Sequence, residues 1–185
     1  MRVRPYCLII SGPSGSGKST TAKKLWEVLN GNPAYLSLDS IKHFVKGAIS
    51  NDHFLDLARN NALSLTRNYL TAGHPVIVDK AFGSYEYVRP FEDLTKEVGV
   101  ESYYFKLIAP LNILIKRVEN RRNLSLEEQI QIGEWPLPTG NQETATEIYK
   151  FCVKNQHSEG IDIDTELNSP EEVIRIIRSY LPKDA

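Results

Sequence analysis

Eight residues near the start of the chain, Gly12-Pro13-Ser14-Gly15-Ser16-Gly17-Lys18-Ser19, have the types and spacing that hold a row of phosphates. Its three glycines let the backbone wrap an anion, with N–H groups pointing inward and no side chain in the way. Lys18 can set its ammonium against the outer phosphates, and the Ser19 hydroxyl can ligate Mg²⁺. Thr20, next in the same turn, joins the expected contacts. The apolar run Tyr6–Ile10 stands directly before the loop, and Ala22, Leu25, Trp26 and Leu29 keep helical spacing after it. A helix N-terminus, with unpaired N–H groups and the positive dipole end, therefore faces the same anion.

Phosphate binding alone does not name a reaction. A phosphotransferase, a guanine-nucleotide switch, and a motor ATPase or nucleotide-binding regulator all begin this way. A switch would carry Asn-Lys-x-Asp for its base and Asp-x-x-Gly after its third strand. The first is absent, and Asp79 is followed by Lys80, Ala81 and Phe82. A motor would place a second acid beside Asp79 to polarise water, where Lys80 stands instead. Asp79 itself ends an apolar run, where a carboxylate could hold Mg²⁺ directly or through water, or serve only as a polar strand terminus.

The elements that must position these groups alternate. Strands are expected at Tyr6–Ile10, Ala34–Leu38, Val76–Asp79, Glu101–Ile108 and Gly160–Asp164. Between them, helices are expected from Ser19 to Leu29, briefly from Ser40, from Asp52 to Thr71, from Glu86 to Val98, from Pro110 to Arg121 and from Asn141 to Asn155. In the long helix Leu55, Ala58, Ala62, Leu65, Tyr69 and Ala72 mark the apolar face. Ser169-Pro170-Glu171-Glu172 is a capping box that starts a last helix ending near Tyr180. Residues from Asn123 to Gly140, with two prolines and two glycines, read as mostly loop around a short helix. This pattern predicts an α/β sheet covered on both faces, in one domain of 185 residues.

Composition narrows the partners. The 22 basic and 23 acidic residues nearly cancel, which argues against a broad nucleic-acid-binding face. Cys7 and Cys152 form no metal-binding spacing and read as small buried hydrophobes. No run approaches a membrane span or a signal peptide, so a cytoplasmic monomer or homodimer is the expectation.

With these motifs in place, the chain from Tyr6 to Leu181 resembles the small P-loop kinases related to chloramphenicol phosphotransferase, zeta toxin and the kinase domain of polynucleotide kinase. More distantly it is similar to gluconate, shikimate and adenylate kinases. The resemblance implies a three-layer fold, a five-stranded parallel sheet in the order 2-3-1-4-5 and a lid at about 122–140. It also implies ATP as donor with Mg²⁺ and a hydroxyl as acceptor; with no concentrated basic run in the sequence, a small molecule is the expected acceptor and a nucleic-acid 5′-hydroxyl the alternative.

Carried over residue by residue, the resemblance makes Asp39, in Leu38-Asp39-Ser40-Ile41-Lys42, the group that accepts the proton of the attacking hydroxyl. Asp39 or Ser40 could equally cap the short helix. Lys42 stands where relatives often have arginine. The resemblance gives Arg117 the role of stacking on adenine and Arg121, four residues on, that of reaching the phosphates; Arg122 is an alternative for the second role. A solvated basic helix end also accounts for the pair. Asp164-Thr165 would lie in the loop that contacts adenine. For the acceptor the candidates are His43, Phe44, Lys46, Tyr85, Tyr87, Arg89 and Trp135, any of which could be ordinary core or surface.

Overall fold

The computed structural model describes residues 3–49, 51–122, 142–155 and 157–185, with the side chains of 121–122 and 142–145 outside that description. Five strands are β1 (Tyr6–Ser11), β2 (Ala34–Ser37), β3 (Val76–Asp79), β4 (Glu101–Ile108) and β5 (Ile161–Asp164). Seven described helices are α1 (Lys18–Val28), α2 (Leu38–Lys42), α3 (Asp52–Thr71), α4 (Arg89–Val98), α5 (Leu111–Arg122), α6 (Gln142–Lys154) and α7 (Pro170–Tyr180).

The strands form one parallel sheet in the order β2-β3-β1-β4-β5, as the resemblance implied. Strand β1 is central and buried along its length, which explains its unbroken apolar composition. Its residues alternate between two cores. Cys7 and Ile9 join Ala58 and Ala62 of α3 and Phe91 and Leu94 of α4. Tyr6, Leu8 and Ile10 join Ala22 and Leu25 of α1 and Val173 and Ile177 of α7. Parallel pairing brings Ser11, Ser37, Asp79, Ile108 and Asp164 to one end of the sheet. Open α/β sheets bind ligands at that end.

Four local readings change. Helix α2 begins at Leu38, so Asp39 sits in its first turn rather than at a strand end. The Ser37 hydroxyl, accepting from Ser40 N at 3.4 Å, caps this helix in place of Asp39 or Ser40. In α3 the fully buried stripe is Ala58, Ala62, Thr66 and Leu70, an i, i+4 run that leaves Tyr69 exposed. Trp26 is half exposed, with its indole N–H donating to the Pro33 carbonyl at 2.9 Å. The expected helix from Glu86 divides into a 3-10 turn, Tyr85–Tyr87, and α4.

The Ser169 capping box forms as expected, with both reciprocal bonds present. Cys7 is buried, whereas Cys152 is only partly so. Among the described residues no helix is long and apolar enough to cross a membrane. The expected lid, including Trp135, lies outside the described residues.

Candidate active site

The loop between β1 and α1 is held from below and from the side. Gly12 (φ +152°) leaves no space for a Cβ, which would meet the Leu107 carbonyl oxygen at 2.4 Å. At Gly15 (φ +86°) a Cβ would meet the Leu114 carbonyl oxygen at 2.6 Å. These two glycines are thus required by the close approach of β4 and α5, a reason beyond clearing room for an anion. Ser16 N donates to the Pro13 carbonyl at 3.1 Å and closes the loop. Gly17 is the N-cap of α1 and supplies no side-chain cap, and no acidic residue occupies the first turn. That helix end offers its N–H groups to an anion. Lys18, Ser19 and Thr20 form the first turn.

Around Lys18 stand the two predicted carboxylates. Asp79 is 2% exposed; its Oδ2 accepts from the Tyr35 hydroxyl at 2.8 Å, while its Oδ1 has no hydrogen-bond partner. Burial raises its pKa, against the pull of the Lys18 charge and of hydrogen bonds from Tyr35 and Ser19. A buried, unpartnered carboxylate oxygen beside a serine hydroxyl is a fitting donor set for a hard cation such as Mg²⁺. The described residues contain no cluster of three or more His, Cys, Asp or Glu fit for a metal.

Asp39 has a different setting. Lys80 Nζ donates to its Oδ1, and Lys42 Nζ lies 3.9 Å from the same oxygen. Burial alone would raise the Asp39 pKa, but Lys80, Lys18 and Lys42 together outweigh it and hold the carboxyl at about 2. Asp39 therefore stays ionised throughout the ordinary pH range. Lys80, met in the sequence only as the residue replacing a second acid, is its direct partner. Spacing in the sequence marks neither Lys80 nor Tyr35, because each bonds to a residue far along the chain, Asp39 and Asp79 respectively.

Arg117 projects from α5 and joins two loops. Its guanidinium donates to the Gly15 carbonyl at 3.4 Å, the Thr165 hydroxyl at 2.9 Å and the Thr165 carbonyl at 2.6 Å. The phosphate loop and the loop after β5 are thereby tied together, so Arg117 and Asp164-Thr165 do share one place. The side chains of Arg121 and Arg122 lie outside the described residues.

The acceptor candidates separate. His43 lies near Asp39, Lys42 and Lys80; burial and the Lys42 charge lower its pKa. Phe44 is 75% exposed. Tyr85 donates to Glu92, the Tyr87 ring carries Arg59 at 4.7 Å, and Arg89 lies 3.7 Å from Asp93. The last two are engaged in ordinary surface contacts.

Residues 8–133 of this site-bearing region match the AAA domain family. The chain belongs to that family. Among similar proteins, this AAA domain is 26% identical to cytidylate kinase from Staphylothermus marinus, over 95% of this chain and 96% of that one. In fold it is similar to the Mycobacterium tuberculosis APS kinase CysC (TM-score 0.63, 20% identity, 95% and 96% coverage). The tunicamycin resistance protein of Deinococcus radiodurans is alike as well (TM-score 0.61, 23% identity, 95% of both chains). The fold of this AAA domain is therefore that of the P-loop kinases.

Proposed function

We propose that this chain is a Mg²⁺- and ATP-dependent phosphotransferase that moves the γ-phosphoryl group of ATP to a hydroxyl of a small molecule. The observation that carries the reading is Asp39, an ionised carboxylate within the electrostatic reach of Lys18. In the proposed reaction the acceptor oxygen bonds to the γ-phosphorus as the bond to the β–γ bridging oxygen breaks. The hydroxyl proton passes to Asp39, and ADP leaves. Phosphoryl transfer is loose in character, so aligning the hydroxyl matters more than a strongly basic carboxylate.

The phosphate-loop N–H groups and Lys18 stabilise charge on the phosphoryl oxygens. Ser19 and Asp79 would hold Mg²⁺, which when bound offsets the phosphate charge. Arg117 fixes the loop that faces the nucleotide base, and the resemblance alone assigns Arg121 to the phosphates.

A second reading has one observation in its favour: the near full-length similarity to cytidylate kinase, which suggests a nucleotide phosphate as acceptor. Asp39 does not decide between the two readings, because Lys18, Lys42 and Lys80 surround its carboxylate and leave that locality cationic. The test measures ADP formation with cytidine, cytidine 5′-monophosphate and a panel of small alcohols, using wild type, Lys18→Ala and Asp39→Asn. Alcohol-stimulated turnover that falls at least ~10²-fold in Asp39→Asn is the expected result. Turnover with cytidine 5′-monophosphate alone, undiminished in Asp39→Asn, overturns the alcohol reading. If no compound stimulates ADP release, the chain is a nucleotide-binding regulator or hydrolase instead.

A further inference from the structure

A cavity of about 440 Å³ opens beside the first turn of the phosphate loop, within the range of small-molecule sites. Ser11, Gly12 and Pro13 form one side, and Tyr149, Cys152 and Val153 of α6 form the other. Phe82, Leu107, Ile108 and Pro110 make most of its wall apolar.

Lys106, Asp162 and Asp164 of its lining already have partners within the protein. Lys106 donates to the His157 carbonyl at 2.7 Å and lies 3.0 Å from Asp162 Oδ1. Asp164 Oδ1 accepts from the N–H groups of Glu166 at 2.8 Å and Leu167 at 3.3 Å. One lysine and one histidine against two aspartates leave no surplus of cations there to meet an anion, and burying an anion beside Asp162 and Asp164 would be costly. The lining suits an uncharged molecule with an apolar body and a few polar groups.

The cavity is also coupled to the reacting centre. The segment 80–83 spans both: Lys80 reaches Asp39, while Phe82 and Gly83 wall the cavity. Ser11 Oγ anchors that segment, donating to Phe82 O at 3.2 Å and accepting from Phe82 N at 3.0 Å. The Phe151 ring of α6 closes over Gly83, where a Cβ would meet it at 2.0 Å. On the opposite wall, Cys152 lies within the electrostatic reach of Lys18.

We infer that this cavity seats the body of the phosphate acceptor, an uncharged and partly apolar alcohol whose hydroxyl is presented toward Asp39 and Lys18. This assignment rests on the alcohol-kinase reading above. It predicts that filling the cavity blocks the acceptor and spares the nucleotide.

Two perturbations test it: Cys152→Trp, and alkylation of Cys152 by iodoacetamide in folded wild type, where Cys7 is fully buried. Each is measured with a methylanthraniloyl-labelled ADP for nucleotide affinity, and with the alcohols that stimulate ADP formation by wild type. The expected result is an acceptor KM raised at least ~10-fold, with nucleotide affinity essentially unchanged. An unchanged KM in the alkylated protein overturns the assignment while leaving the kinase reading intact. An equal loss of nucleotide affinity also overturns it, since the cavity would then belong to the nucleotide. Wild-type activity restricted to cytidine 5′-monophosphate overturns the uncharged-acceptor assignment but keeps a kinase. Activity with no acceptor removes the kinase reading, and this assignment with it.

Discussion

Lys80 and Asp39, 41 residues apart in sequence, form an ion pair across the ends of β3 and α2. The contact ties the segment after β3 to the predicted proton acceptor. It also sets the charge state of that acceptor, because Asp39 has its pKa at about 2 against the net effect of burial.

Lys80→Met removes the nearest cation and lets burial raise the Asp39 pKa. A carboxylate depressed in the folded state contributes stability above its unfolded value, about 3.9. That contribution is lost as pH falls toward 2. In Lys80→Met both the acid limb of kcat/KM and the acid-unfolding midpoint should therefore move to higher pH. Asp39 is 47% exposed, so screening keeps the stability change near or below about 1 kcal/mol. An acid limb that does not move would show that Asp39 does not limit turnover.

Gly15→Ala tests the packing of the phosphate loop. The substitution combines a left-handed backbone (φ +86°) with a Cβ 2.6 Å from the Leu114 carbonyl oxygen. A loss of about 1–2 kcal/mol in thermal or denaturant unfolding is expected from the backbone alone. Displacement of the loop should add at least a ~10-fold loss of ADP affinity, or about 1.4 kcal/mol. Wild-type affinity by calorimetry would show that the loop tolerates the shift.

Arg117→Lys keeps the charge and loses the fork. A lysine cannot donate to Gly15 and to both oxygens of Thr165 in the observed arrangement. Hydrogen bonds to charged groups contribute about 1.5–3 kcal/mol, so nucleotide affinity should fall ~10-fold or more. Faster hydrogen exchange at Thr165–Leu167 should accompany it. Full retention of ATP affinity, or of preference over GTP, would remove Arg117 from the nucleotide site.

Ser169→Ala removes one half of the capping box of α7 and changes no side chain proposed to touch nucleotide or acceptor. The expected cost is about 1 kcal/mol of unfolding free energy. Nucleotide affinity and turnover should match wild type, which separates a stability effect from a functional one.

Much of the local architecture was legible in residue order. Strand β4 and helices α3 and α7 follow apolar period, turn residues and caps, and these signals act within a few residues. In α3, Tyr69 fits the helical spacing yet lies at the rim, while Thr66 is accepted into the core. The resemblance, not spacing, singles out Asp39, and the structure sets it in the first turn of α2 beside Lys80. The cap of α2 was not legible, since Ser37 and Ser40 are equally suited by type.

By itself the sequence determined the phosphate loop, the alternation of strands and helices, and the presence of Asp39 and Asp79 just after or at the ends of their strands. Those features depend on backbone chemistry and on contacts between near neighbours. Tertiary structure alone decided that Lys80 pairs with Asp39, that Tyr35 donates to Asp79, and that Arg117 joins Gly15 to Thr165. It also decided that Gly12 and Gly15 are demanded by β4 and α5 as well as by phosphate. Each of these contacts follows from β3 lying between β2 and β1, and from β4 lying between β1 and β5. Strand order is a long-range outcome of packing, and no spacing within a single segment encodes it.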